Sequence, residues 1–114
     1  MKENDLKDRL FRFAIDVLRM LSSLKGGKEI DVIKHQLSRS ATSSGANYEE
    51  SQAGASKADF INKVTISLKE MRESNYWLRI IMELYPKTEC ISHLIHESEE
   101  LGKILATIII RAKS

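Results

Sequence analysis

Large apolar residues recur every three or four positions along most of the chain, and this recurrence predicts four helices. Leu6, Leu10, Phe13, Val17, Met20 and Leu24 step by 4, 3, 4, 3 and 4, a heptad seam on a helix from about Asp5 to Leu24. Phe11, Ala14, Ile15, Leu18 and Leu21 widen the apolar arc, and Arg9, Arg12, Asp16 and Arg19 fill the remaining strip. Gly26-Gly27 is expected to end this helix, because glycine readily takes the left-handed conformation at a helix C-terminus. The second helix begins near Glu29 with Ile30, Ile33, Leu37, Ala41, Ser44 and Tyr48 on one face, and stops around Gln52 to Ala55. Ser56 followed by Asp59 resembles a capping box, with aspartate in place of the usual glutamate. A third seam then runs through Ile61, Val64, Leu68, Met71, Asn75, Leu78, Met82 and Tyr85 until Pro86 ends it. Thr88 is a candidate cap for a fourth helix, with the seam Ile91, Leu94, Ser98, Leu101, Leu105, Ile108 and Ala112.

Four helices with three short connections pack as antiparallel neighbours, so the expected fold is all-α, an up-down-up-down antiparallel four-helix bundle. One proline and five glycines leave little material for the turns of a β-sandwich. At 114 residues the chain is expected to form one domain over residues 1–114.

One stretch, Gln36 to Phe60, departs from the pattern around it. Ser38, Ser40, Ala41, Thr42, Ser43, Ser44, Gly45, Ala46 and Asn47 make a run of small side chains. Gln36, Ser40, Ser43, Asn47 and Glu50 nevertheless keep helical spacing and fall on one face. This reads as a helix whose small residues admit a neighbouring backbone, with side-chain hydrogen bonds from the polar ladder fixing how it meets that neighbour. Asn75, polar within an apolar seam, is expected to play the same part.

Apolar residues also exceed what one bundle contact needs. The third helix adds Ile66, Trp77, Ile80 and Leu84, with Ile81 beside them, to Phe11, Ile15 and Leu18 on the first. The fourth adds Ile95, Ala106, Ile109 and Ile110. Contiguous apolar patches of this kind are rare on soluble monomers, which predicts self-association. Phe11, Leu18, Ile66, Trp77, Ile80 and Leu84 are the candidate interface residues. The plainer alternative is that bent helices cover these stripes themselves.

Charge and chemistry narrow the function further. The net charge is +2 and 30% of residues are charged, short of the strongly basic footprint that identifies a nucleic-acid binder unaided. Arg12, Arg19, Arg39, Lys57 and Lys63 are basic positions that a symmetric ring would repeat, so phosphate contacts would add up in an assembly. Cys90 is the lone cysteine, the N-terminal stretch MKENDLKDRL has no apolar signal-like core, and no apolar run reaches the roughly 20 residues needed to cross a bilayer. A cytoplasmic protein with no membrane partner is expected. Cys90, His93, His96, Glu97 and Glu100 crowd one end of helix four, but no Glu-x-x-His motif accompanies them, and they read as a solvated polar face. There is no Gly-x-Ser-x-Gly elbow and no Gly-rich phosphate loop. Adjacent carboxylates such as Glu49 and Glu50 point about 100° apart on a helix. The residues thus predict no enzyme, no metal and no cofactor.

A set of jointly spaced residues remains. Gln36-Leu37-x-Arg39-x-Ala41-x-Ser43 leads to Asn47 and Glu50, then to Ser56-Lys57-x-Asp59-Phe60 and Ser67-Leu68-x-Glu70. The arrangement resembles the four-helix-bundle proteins encoded in intervening sequences of bacterial 23S rRNA genes, relatives of the accessory variability proteins of diversity-generating retroelements. In that family helix two reads Q-I-R-R-A-A-x-S-I-P-x-N-I-A-E-G, followed by S-K-x-E-F and S-L-x-E. This chain departs from it with Ser38 for the first arginine, Gly45 for the mid-helix proline, Ser51 for a glycine and Asp59 for glutamate. By this resemblance Asn47, Glu50, Ser56 and Phe60 are structural motif positions, and Arg39 and Lys57 match basic positions.

The resemblance implies a ring-shaped homo-oligomer, commonly a pentamer, without enzymatic activity. It implies nucleic acid, RNA or DNA, as a partner, and for the retroelement relatives a reverse transcriptase. The leading expectation is a non-enzymatic accessory protein that binds RNA or DNA. The alternative is a protein–protein interaction scaffold whose charges only keep it soluble.

Overall fold

The computed structural model describes residues 3–53 and 56–114. Four helices follow one another: α1 (Glu3–Ser22), α2 (Lys28–Gln52), α3 (Lys57–Leu84) and α4 (Ile91–Lys113). They form the expected four-helix bundle. Each helix packs against its two neighbours around the bundle, most extensively α2 against α3 and least α1 against α4, and diagonal helices make no backbone contact within 8 Å. The molecule measures 44 × 23 × 19 Å, its long axis set by α3, whose length at about 1.5 Å per residue is roughly 42 Å.

The seams supply the core. Leu6, Leu10, Phe13, Val17 and Met20 of α1 are buried, as are Ile30, Ile33, Leu37, Ala41 and Tyr48 of α2. Val64, Leu68, Met71 and Leu78 of α3 meet Ile91, Leu94, Leu101 and Leu105 of α4. The α3 seam thins at its ends, where Ile61 and Met82 are half-buried and Tyr85 is exposed. Ile81, assigned from sequence to the outer stripe, lies instead fully within the core.

The helix ends differ from expectation in two places. No described glycine takes the left-handed conformation. The first helix stops earlier, where the Ser23 and Leu24 amides bond to the Met20 and Leu21 carbonyls at 3.1 Å. The Ser22 and Ser23 hydroxyls also donate to Arg19 and Met20 carbonyls. Such serine bonds compete with the next helical turn. Gly27, in extended backbone, is the N-cap of α2, and its amide donates to Asp31. Thr88 does not cap α4. Its hydroxyl donates back to the Tyr85 carbonyl, and the N-cap position falls to Cys90 in the left-handed region, φ 67°. The Ser56 cap is as expected, its hydroxyl accepting from the Asp59 amide at 3.1 Å. Of the expected α2 stop, Ala53 is the C-cap, and Gly54 and Ala55 lie outside the described residues.

Candidate functional site

The small-residue stretch is where α2 meets both α3 and α1. Ser44 and Ser67 bond reciprocally: the Ser44 hydroxyl donates to the Ser67 carbonyl at 2.8 Å, and the Ser67 hydroxyl to the Ser44 carbonyl at 2.7 Å. Two turns farther along α3, the Ser40 and Ser74 hydroxyls lie 2.8 Å apart. All four serines are buried, so these bonds satisfy groups that would otherwise be costly in the seam. Hydroxyls reaching a facing backbone require two helices to pack closely, which larger side chains would prevent. On the side toward α1, a Cβ added to Gly45 would sit 3.6 Å from the Leu10 carbonyl oxygen.

The polar face that bridges helices is therefore Ser40 and Ser44, one step around from the ladder read from sequence. Ser40 belongs to both. Asn47 donates to the Ser43 carbonyl and hydroxyl within α2, at 2.9 and 3.1 Å. Glu50 is exposed, and Gln36 and Ser43 are half-buried.

Arg39 crosses from α2 to α3. One Nη donates to Glu70 and the other to Glu73, each at 2.6 Å. Glu73 also accepts the indole N–H of Trp77 at 3.0 Å. The indole bond, with help from Arg39, holds the Glu73 carboxyl below its ordinary range, while the two carboxylates raise Arg39. This guanidinium, one of the two basic positions matched by the resemblance, joins two helices through both of its Nη groups. Arg9 is similarly committed, with a two-pronged bond to Glu97 of α4 at 2.6 and 3.0 Å that raises its pKa. That pairing also takes Glu97 away from the His93 and His96 cluster, and no grouping of three metal-capable side chains occurs among the described residues.

The other candidate cations remain unpaired among the described residues. Arg12 and Arg19 are exposed on α1, Lys57 is exposed at the first position of α3, and Lys63 is half-buried on α3. Because α1 and α3 are diagonal, a single subunit does not bring the two pairs together.

The candidate interface residues also divide. Trp77 and Ile80 are half-buried and pack against their own core, so α3 covers much of its outer stripe, as do Ile95, Ala106 and Ile109 of α4. Ile66 is half-buried and Leu84 exposed. On α1, Phe11 is 57% exposed and Leu18 38%. Together with Ala14 and Ile15 they line a mostly apolar groove of about 310 Å³, whose α2 wall includes Gly45 and Ala46.

Residues 2–107 match the family described as 23S rRNA-intervening sequence protein. The chain belongs to that family. A solved structure from Bacteroides thetaiotaomicron, a protein of unknown function from the S23 ribosomal protein family, is similar at 35% identity with a TM-score of 0.82. The match covers 91% of this chain and 97% of that one. No curated protein matches significantly.

Family membership gives the motif a physical meaning in this chain. Its conspicuous positions find one another in space: Arg39 pairs with Glu70, the Ser67 position bonds to α2, Ser56 caps α3, and half-buried Phe60 packs on the core. Sequence reasoning missed Ser74 and Glu73, and took Trp77 for an interface residue without its bond to Glu73. The spacing of Glu70, Glu73, Ser74 and Trp77 on one face of α3 carried the signal. Only pairing α2 with α3 shows that this face meets Ser40 and Arg39.

Proposed function

We propose that this protein is a non-enzymatic, ring-forming homo-oligomer, a pentamer by its resemblance to the family, that binds RNA or DNA in the cytoplasm as an accessory factor. The observation that carries this reading is the surface of α1. Exposed Phe11 and Leu18 share that helix with exposed, unpaired Arg12 and Arg19, and α1 is the helix least enclosed by its own bundle. An apolar strip suits contact with a second copy, and its arginines would then recur around the assembly, where phosphate contacts sum. The family's description as a product of 23S rRNA intervening sequences supports an RNA setting.

Two measurements test the two halves of the proposal. Light scattering at micromolar concentration should give a multiple of the 13.0 kDa chain mass, and a monomer mass refutes the ring. A gel shift with structured RNA should show binding that weakens steeply between about 50 and 200 mM salt. No binding to duplex, structured or single-stranded nucleic acid at low salt refutes the nucleic-acid half and favours an interaction scaffold.

A further inference from the structure

Asn75 interrupts the apolar seam of α3, and the bonds it makes lead to the surface. Its amide Nδ2 donates to the Ser98 hydroxyl at 2.9 Å, and Ser98 donates in turn to the Ile95 carbonyl at 2.7 Å. On its other side, Asn75 Oδ1 accepts from Nε of Arg79 at 2.9 Å. A line of hydrogen bonds thus runs from the backbone of α4 to an exposed guanidinium. The guanidinium carbon also lies 5.8 Å from the centre of the Tyr76 ring. One edge of Arg79 is held, while both Nη groups have no protein acceptor among the described residues. A leucine at position 75 would satisfy the seam more simply, so the asparagine is better explained by what it positions.

Arg79 stands on an open groove of about 440 Å³ between α3 and α4. Arg72 joins it from α3 and Lys103 from α4, and Glu99 is the lone carboxylate in the lining. This local excess of cations matches the +2 net charge of the whole chain. Arg72 makes no ion pair or hydrogen bond among the described residues, and Lys103 has only a 3.9 Å approach to Glu100. Arg9 and Arg39, by contrast, are fully engaged with carboxylates. At Gly102 an added Cβ would meet nothing within 4 Å, so the α4 side of the groove is left open.

We propose that this groove is a phosphate-binding site whose ligand is the phosphodiester backbone of a nucleic acid, an inference that rests on the nucleic-acid reading above. A guanidinium fork fixed along one edge is suited to bidentate contact with a phosphate. Arg72, Arg79, Glu99 and Lys103 are all exposed, so a small phosphorylated molecule would remain largely solvated here, whereas small-ligand sites enclose most of their ligand. A polymer needs only a charged face. Arg72 and Arg79 stand two turns apart, about 10 Å along α3, a span that reaches more than one phosphate of a strand carrying a charge every ~3.4 Å of axis.

The test measures anisotropy of a labelled RNA hairpin at several salt concentrations, and in parallel the binding of pyrophosphate alone. It compares the full chain with Arg72→Gln, with Arg72→Gln/Arg79→Gln, and with Arg12→Gln/Arg19→Gln. Circular dichroism melts establish that each variant folds. Arg72 has no partner to lose, so its single variant keeps the test valid if the double variant is unstable. The groove variants should bind RNA on the order of tenfold more weakly, and the slope of log affinity against log salt should flatten by about one per lost contact in each subunit touching the RNA. If the parent binds RNA and both groove variants bind it equally well with the same slope, the groove is refuted and the proposed function stands. If the parent binds no nucleic acid, the proposed function fails and the assignment of this ligand fails with it. Pyrophosphate binding that depends on Arg72 and Arg79 without RNA binding would assign the groove to a free phosphorylated molecule and overturn the polymer assignment.

Discussion

Arg39 of α2 donates to Glu70 of α3 at 2.6 Å, which joins two charged positions that the family motif places 31 residues apart. The arginine matches a basic position of the family in sequence, and in the fold it ties α2 to α3. The guanidinium side chain is 45% exposed while Glu70 is only 14% exposed. Its loss therefore leaves a carboxylate mostly enclosed and unpaired.

Arg39→Ala should lower stability by about 1 kcal/mol, the scale of exposed pairs discounted for solvent screening. Its effect on the salt dependence of nucleic-acid binding should be negligible. Urea unfolding reads the first and anisotropy the second. A variant that melts like the parent but binds RNA with a flatter salt slope would return Arg39 to the nucleic-acid surface.

Glu73 predicts the acid limb of stability. The Trp77 indole N–H and Arg39 hold its folded-state pKa below the ordinary 4.5. A group depressed in the folded state contributes stability that is fully present above its ordinary pKa and is lost as pH falls through the folded value. Glu73→Gln retains an acceptor for the indole but cannot take up a proton. Its urea midpoint should therefore fall less than the parent's as pH drops below about 4.5. Parallel losses in the two proteins would show that Glu73 contributes nothing to the acid limb.

Ser44 and Gly45 are adjacent small residues with opposite expected responses to alanine. Ser44→Ala removes a buried donor to the Ser67 carbonyl and should cost about 1 kcal/mol. Gly45→Ala places a methyl group 3.6 Å from Leu10, an ordinary contact, and should gain about 0.5 to 1 kcal/mol in helix propensity. Gly45→Leu exceeds the space against α1 and should cost about 1 to 3 kcal/mol. Urea unfolding of the three variants measures all the signs. Destabilisation by Gly45→Ala would mean that the α1/α2 contact is tighter than its geometry indicates.

These pairs also show how far the sequence could be read. Heptad seams locate the core because apolar spacing at 3 and 4 is itself the geometry of packing, so Leu10, Leu37, Met71 and Leu101 were legible without coordinates. The choice of polar partners was not. Ser40 and Ser43 differ by less than a turn, and only the angle at which α2 meets α3 decides that Ser40 and Ser44 face Ser74 and Ser67. Arg39 appeared free because Glu70 and Glu73 lie on another helix. Trp77 appeared to face a second copy because a wheel does not show an indole folding back onto Glu73 and the core. Asn75 was recognised as a polar interruption, but its bond to Ser98 emerges only once α3 and α4 are paired. Partners on another helix, and the choice of rotamer within one, mark the limit of sequence reading here.

The same distinction decides which variant tests self-association. Trp77→Glu would remove a side chain that packs on its own core and bonds to Glu73, so loss of assembly there would be confounded with loss of the subunit. Phe11 and Leu18 are exposed, and neither belongs to the core. Burying an apolar side chain of that size contributes roughly 1.5 to 3 kcal/mol, repeated at every contact of a ring, and a buried unpaired carboxylate reverses the sign. Phe11→Glu/Leu18→Glu should therefore keep the parent's circular dichroism spectrum and melt as a folded bundle, while its light-scattering mass drops to that of the 13.0 kDa chain. Its RNA affinity should fall with it, because the summed phosphate contacts disappear even though every arginine is retained. An undiminished oligomer mass would place the interface away from α1, and unchanged RNA affinity in a verified monomer would show that binding does not require the ring.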